Sequence, residues 1–193
     1  MTPKRANKFK TVIKKKQPNL TVVMENVHDP HNISAVLRSC DAVGIKDVHI
    51  IYTDPNLRRR LGEKSSASAK KWIDVHYYDN IEDCFNLLKQ QEKQIFTTHL
   101  SNNAKNIYQM DFSGKVALVF GNEKDGVSNE AVALADGNFI IPQVGMIESL
   151  NISVACAVSL YEAFRQKQQA GHYQNPQMSD NAQKALFNNW AER

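Results

Sequence analysis

Apolar positions follow two rhythms along this chain. Nearly continuous apolar runs of five or six residues begin at Leu20 ("LTVVME"), Val48 ("VHIIY"), Gln94 ("QIFTTH"), Lys115 ("KVALVF") and Gly137 ("GNFIIP"). Runs this short without strict polar alternation predict strands buried on both faces. "WIDVHYY" predicts one more short strand. Between the strands the period changes to that of helices. Phe9, Val12 and Ile13 predict a helix from about Arg5 to Lys16, ended by Pro18. Ile33, Val36, Leu37, Cys40 and Val43 form the apolar stripe of "HNISAVLRSCDAVG", with Asn32 as its cap. "DNIEDCFNLLKQQ", capped by Asp79 or Asn80, "SNEAVALAD", opened by Ser128, and "LNISVACAVSLYEAFRQKQQ" are further helices. A last helix over Asp180 to Ala191 docks Leu186, Phe187 and Trp190. Alternating strands and helices predict an α/β fold, a parallel sheet with helices on both faces. One domain suits 193 residues: a basic helical extension over 1–19, the main domain over 20–170, and a short tail with one helix over 171–193.

Composition narrows the classes. With 42% hydrophobic and 23% charged residues, the chain is neither disordered nor membrane-like. No run approaches the roughly 20 apolar residues of a membrane span, and the N-terminus lacks the apolar core of a signal peptide, so a cytoplasmic location is expected. Cys40, Cys84 and Cys156 sit far apart in apolar helical settings and read as reduced core thiols. The six histidines show no ligand spacing, so no metal is expected.

The net charge is only +4, but its placement matters. Lys4, Arg5, Lys8, Lys10, Lys14, Lys15 and Lys16 precede the first acid, and Arg58, Arg59, Arg60, Lys64, Lys70 and Lys71 crowd the long connection before Trp72. Such blocks attract polyanions by releasing counterions, which points to RNA; solvated surface patches are the alternative.

A parallel sheet offers ligands the loops at the carboxyl ends of its strands, here after Glu25, Phe120 and Ile141. "GNEKDGVS" approaches a phosphate-binding loop, but Val127 takes the lysine position, and Glu123 and Asp125 would repel phosphate. A tight turn with Gly121 and Gly126 at positive φ explains the glycines and leaves Glu123 without a role. In "IPQVGMIESLNISVACAV" either Ser149 or Asn151 suffices as a cap, while Val144, Met146, Ile147 and Leu150 should line either core or a flat apolar ligand. In "HNISAVLRSCDAVG" Arg38 lies off the apolar stripe, and pairing with Asp41 at i+3 is its ordinary explanation.

Together "ENVHDPHNISAVLRSCDAVG", "LVFGNEKDGVS" and "IIPQVGMIESLNISVACAVSLYEAFRQ" resemble the three motifs of the SPOUT superfamily of RNA methyltransferases. Within it the chain is most similar to the enzymes that methylate the ribose 2'-hydroxyl of guanosine 18 in the D loop of tRNA. The likeness runs from about Pro18 to Gly171 and includes "TTHLSNNA" and "YQMDF". It implies a trefoil-knotted α/β domain, S-adenosylmethionine as cofactor, tRNA as substrate, and a homodimer. Position by position it implies cofactor contacts at Thr98, Leu100, Gly121, Ile141, Met146 and Leu150, many through backbone groups. Arg38 matches the catalytic arginine, with Asn32, Glu123, Ser149 and Asn151 as the other motif polar residues. His31 and Arg165 match positions tied to the active site or to tRNA.

Residue chemistry agrees with this. Methyl transfer to a ribose oxygen needs an aligned, partly deprotonated oxygen and no metal. Arginine is a poor base, so Arg38 suits a bidentate grip on the neighbouring phosphate that stabilises alkoxide character. Two features depart from the relatives' pattern: the tail is shorter, and Lys8 stands where they can carry arginine, which keeps charge but not bidentate geometry. Two rivals stay open, the same chemistry at a tRNA wobble ribose or a ribosomal RNA, and a non-catalytic RNA-binding module.

Overall fold

The computed structural model describes residues 1–54, 71–101, 104–147 and 149–193. Strands β1 (Leu20–Glu25), β2 (Asp47–Ile51), β3 (Asp74–Tyr78), β4 (Gln94–Thr98), β5 (Lys105–Asn106), β6 (Val116–Phe120) and β7 (Gly137–Ile140) form one sheet in the order β3-β2-β1-β6-β4-β7-β5. Every pairing is parallel. All six residues of β1 and all five of β6 are buried, because both faces of the sheet's centre are covered. That burial is the physical reason their sequences are apolar without alternation.

Helices α1 (Pro3–Lys14), α2 (Pro30–Ala42), α3 (Ile81–Gln90), α4 (Asn129–Leu134), α5 (Ile152–Gln169) and α6 (Asp180–Glu192) complete the described fold. On one face α2 and α5 join the β1, β2 and β6 side chains around Leu37, Cys40, Cys156 and Leu160. On the other, α3 and α4 close over Val23, Ile95 and Val119. The three cysteines are free and buried, as expected of core thiols. Asn80 caps α3 and Ser128 caps α4 through side-chain oxygens, as their sequences predict. Among the described residues no helix is long and apolar enough to cross a membrane.

Three sequence expectations give way here. Asn32 is not the cap of α2: Asp29 is, its carboxylate accepting from the His31 amide at 2.9 Å, which places Asn32 inside the first turn and frees its amide for other work. The first helix runs from Pro3, capped by Thr2, and ends at Lys14, before Pro18 could stop it. Lys16 is not part of a basic surface. It is fully buried, and its ammonium donates to Asp41 Oδ1 (3.3 Å), the Ile45 carbonyl (2.9 Å) and the Trp72 carbonyl (3.1 Å). Burial lowers its pKa, and Asp41 opposes that shift. Lys16 therefore ties the basic extension to the amino edge of the sheet, where Phe9, Trp72, Phe187 and Trp190 meet edge to face.

Candidate active site

The carboxyl ends of β4, β6 and β7 open onto a cleft of ≈ 510 Å³. Cavities of roughly 300–1,000 Å³ are the usual size for small-molecule sites. Phe120, Leu100, Ile141, Leu150 and Ile152 supply apolar wall, and Thr98, Gly121, Glu123, Ser149 and Asn151 supply polar or backbone edge. Eight of the predicted positions thus converge from segments far apart in sequence: Thr98, Leu100, Gly121, Glu123, Ile141, Ser149, Leu150 and Asn151.

Asn32 joins them through hydrogen bonds. Asn151 caps α5, its Oδ1 accepting from the Ser153 amide (2.9 Å) and hydroxyl (2.6 Å). Its Nδ2 donates to Asn32 Oδ1 at 3.1 Å, and Asn32 Nδ2 donates to Glu123 Oε1 in a short bond. A carboxylate only accepts, so Glu123 fixes which way the Asn32 amide faces, and Asn32 fixes Asn151 in turn. One chain of oriented dipoles links the starts of α2 and α5 to the loop after β6. Residues 91 and 119 positions apart are thereby held in register.

The Glu123 loop is tightly folded. Asn122 Oδ1 accepts from the amides of Lys124 (2.9 Å) and Asp125 (2.8 Å), and the Gly126 amide donates to the Asn122 carbonyl at 3.0 Å. Of the two loop glycines only Gly126 has positive φ, at 70°. Gly121 is needed for a different reason: a Cβ there would stand 1.9 Å from the Gly126 carbonyl. At the loop's exit the buried Glu25, last residue of β1, accepts from the Ser128 amide at 3.0 Å through Oε2. Sequence alone does not flag this anchor, because a glutamate ending an apolar strand gives no sign of its partner 103 residues on.

Nor does it flag His99, Asn122, Lys124, Asp125 and Gln143, which line the cleft. His99 is held by Asn138 of β7, whose side chain accepts from its amide (2.8 Å) and donates to its carbonyl (2.6 Å). A histidine at the carboxyl end of a buried strand is the available signal.

Other predicted residues lie apart from the cleft lining. His31 and Arg38 are exposed on α2. The anticipated Arg38–Asp41 pair does not form, since Asp41 accepts from Lys16 instead, and Arg38 makes no hydrogen bond or ion pair among the described residues. Arg165, near the far end of α5, is engaged by Glu162 (2.7 Å) and Gln169 (3.0 Å). Lys8 is exposed on α1. Met146 is exposed with Val144 and Ile147 rather than lining core or cleft, and Val154 and Tyr161 of α5 are exposed as well. Arg58, Arg59 and Arg60 fall outside the described residues. Among the described residues no cluster of metal-ligating side chains occurs.

Residues 19–161 match the family model of the SpoU rRNA Methylase family. The chain belongs to that family. It is similar to the tRNA (guanosine(18)-2'-O)-methyltransferase of Escherichia coli K12, 44% identical over 173 residues that span 90% of this chain and 75% of that one. The enzyme of the same name from Thermus thermophilus is 38% identical over 192 residues, covering 100% of this chain and 98% of its own. Among solved structures, the A. aeolicus TrmH/SpoU tRNA modifying enzyme superposes with a TM-score of 0.88 and 34% identity, over 98% of this chain and 95% of that one. The SpoU fold, with the SPOUT knot anticipated from the motifs, is therefore the fold of this chain.

Proposed function

We propose that this protein transfers a methyl group from S-adenosylmethionine to the 2'-hydroxyl of guanosine 18 in the D loop of tRNA. The observation that carries this reading is the Asn151–Asn32–Glu123 relay closing one edge of a nucleoside-sized cleft, in a chain whose full-length relatives bear that activity in their names. The cleft suits the cofactor: Leu100, Ile141 and Leu150 offer flat apolar contact to an adenine ring, and the close-folded backbone at Gly121 offers polar groups without intervening side chains. When bound, S-adenosylmethionine supplies a sulfonium-activated methyl group open to in-line attack by an oxygen.

The chain's own residues do the rest. Glu123, held by Asn32, fixes the loop over the cofactor and presents a carboxylate oxygen to the substrate guanosine. Ser149 and Asn151, at the start of α5, flank the ribose. Arg38 has no partner among the described residues, so its guanidinium is free to grip the phosphate beside the target ribose by two parallel hydrogen bonds. That positive charge stabilises the alkoxide character that develops on the 2'-oxygen. His31, Lys8, Arg165 and the Arg58–Arg59–Arg60 cluster supply further contacts to the RNA backbone.

The active species is a homodimer. Val144, Met146, Ile147, Val154 and Tyr161 are exposed apolar side chains, in the loop before α5 and on α5, that a second copy would cover, and the protein should sediment at twice its 21.8 kDa mass. The reaction is tested by incubating the protein with labelled S-adenosylmethionine and two tRNA transcripts that differ only in having ribose or 2'-deoxyribose at guanosine 18. Label enters the first and not the second; equal incorporation into both would reject the assignment.

A further inference from the structure

Strand β4 is fastened to the β7 side of the sheet by side chains at both of its ends. At the amino end Asp136 clasps Ile95: its Oδ2 accepts from the Ile95 amide at 2.8 Å, and its own amide donates to the Ile95 carbonyl at 2.9 Å. At the carboxyl end Asn138 clasps His99, accepting from its amide at 2.8 Å and donating to its carbonyl at 2.6 Å. The register between the two strands pairs Thr98 with Phe139 and ends there. His99 is thus the first residue past the ladder, and Asn138 gives its backbone the two bonds that a further strand residue would have supplied.

The Asn138 amide is fully used in this way. Besides the His99 pair, its Oδ1 accepts from the Thr97 hydroxyl (3.3 Å) and its Nδ2 donates to the Ser101 hydroxyl (3.0 Å). A side-chain amide has two donor hydrogens and two acceptor lone pairs, and all four are matched here. Asparagine is therefore the residue this position requires. Aspartate would set an acceptor oxygen against the His99 carbonyl, and an apolar residue would remove both of these partners from His99.

What the clasp governs is the cleft. Thr98, His99 and Leu100 line it, whereas Asn138 does not. Leu100 is 67% exposed, so the packing of its own side chain does not fix it. Its place is set through the backbone that Asn138 holds at His99. We infer that Asn138 is a positioning residue for S-adenosylmethionine: by holding His99 it keeps Thr98 and Leu100 set for the adenosine half of the cofactor before the cofactor arrives. The inference rests on the methyltransferase reading above. Preorganisation of this kind acts on binding, so it shows in cofactor affinity and leaves the chemical step alone.

The test compares Asn138→Asp and Asn138→Ala with Asp136→Ala, which removes a bond of the same kind from the other end of the same strand. Isothermal titration with S-adenosylmethionine and with S-adenosylhomocysteine is run below the melting temperature of every variant. Both Asn138 variants should bind each ligand about ten-fold or more weakly, and Asp136→Ala should bind them as the wild type does. The loss should be the same for the two ligands, which share the adenosine half. With tRNA and cofactor saturating, kcat should stay within about two-fold of wild type, so that KM for the cofactor carries the defect. Hydrogen exchange without cofactor reads the clasp itself: the His99 amide should be protected in the wild type and in Asp136→Ala, and should exchange freely in Asn138→Ala. Wild-type affinity in both Asn138 variants would overturn the inference. An equal loss in Asp136→Ala would also overturn it, by reducing Asn138 to general support of the strand. So would a lowered kcat at unchanged cofactor affinity, which would place the effect on the RNA. Failure of the methylation reading looks different: the clasp would govern cofactor affinity as stated, and yet no label would reach guanosine 18.

Discussion

Replacing Arg38 by lysine should lower kcat at saturating tRNA by about 100-fold, the usual cost of losing one well-placed donor to a developing oxyanion. Lysine preserves the charge, the helix and the exposure, so a defect of that size isolates the fork geometry of the guanidinium. The structure leaves Arg38 uncommitted: its nearest acid in sequence, Asp41, accepts from the buried Lys16, and nothing else in the described chain holds Arg38. S-adenosylmethionine affinity should not change, since Arg38 does not line the cleft. Stopped single-turnover assays separate the two quantities. Near-wild-type turnover in Arg38→Lys would refute the bidentate grip.

Gly121→Ala should abolish measurable cofactor binding, with an affinity loss of at least about 100-fold, the penalty that a displacement near 1 Å exacts in a preorganised site. An alanine Cβ would lie 1.9 Å from both the carbonyl carbon and oxygen of Gly126 and 2.2 Å from the Val127 amide nitrogen. These are backbone atoms and cannot swing aside. The loop must open, taking Glu123 off Asn32 and straining the Ser128 anchor on Glu25. Gly114→Ala is the matched control, because a Cβ there meets nothing within 4 Å. Isothermal titration with S-adenosylmethionine reads both variants; undiminished affinity in Gly121→Ala would show that the loop's fold does not govern the site.

The strands and helices are legible because burial on both faces of a parallel sheet leaves an unmistakable apolar run, as in β1 and β6. Cap residues are harder. Asn32 and Asp29 both have the right chemistry and lie three residues apart, and only the path of the chain decides between them. The decision matters, because an Asn32 spent on capping could not bridge Asn151 and Glu123. Motif likeness places eight residues in the cleft without showing that an amide relay joins them. Lys16 misleads for a simple reason: a run of cations in sequence carries no record of which one turns inward, and three acceptors from α2, β2's approach and Trp72 make this one burial tolerable. The exposed Val144, Met146 and Ile147 have apolar character that points to a covered surface, but sequence cannot say whether the cover comes from the same chain.

The proposed activity is methylation of one defined ribose in tRNA. Mapping 2'-O-methyl groups along tRNA from cells with and without the gene tests it most directly. Loss of the methyl group at guanosine 18 alone, restored by the wild-type protein and not by the Arg38→Ala variant, is the predicted result; a guanosine 18 still methylated in the deletion strain, or a lost methyl group at another ribose, would contradict it.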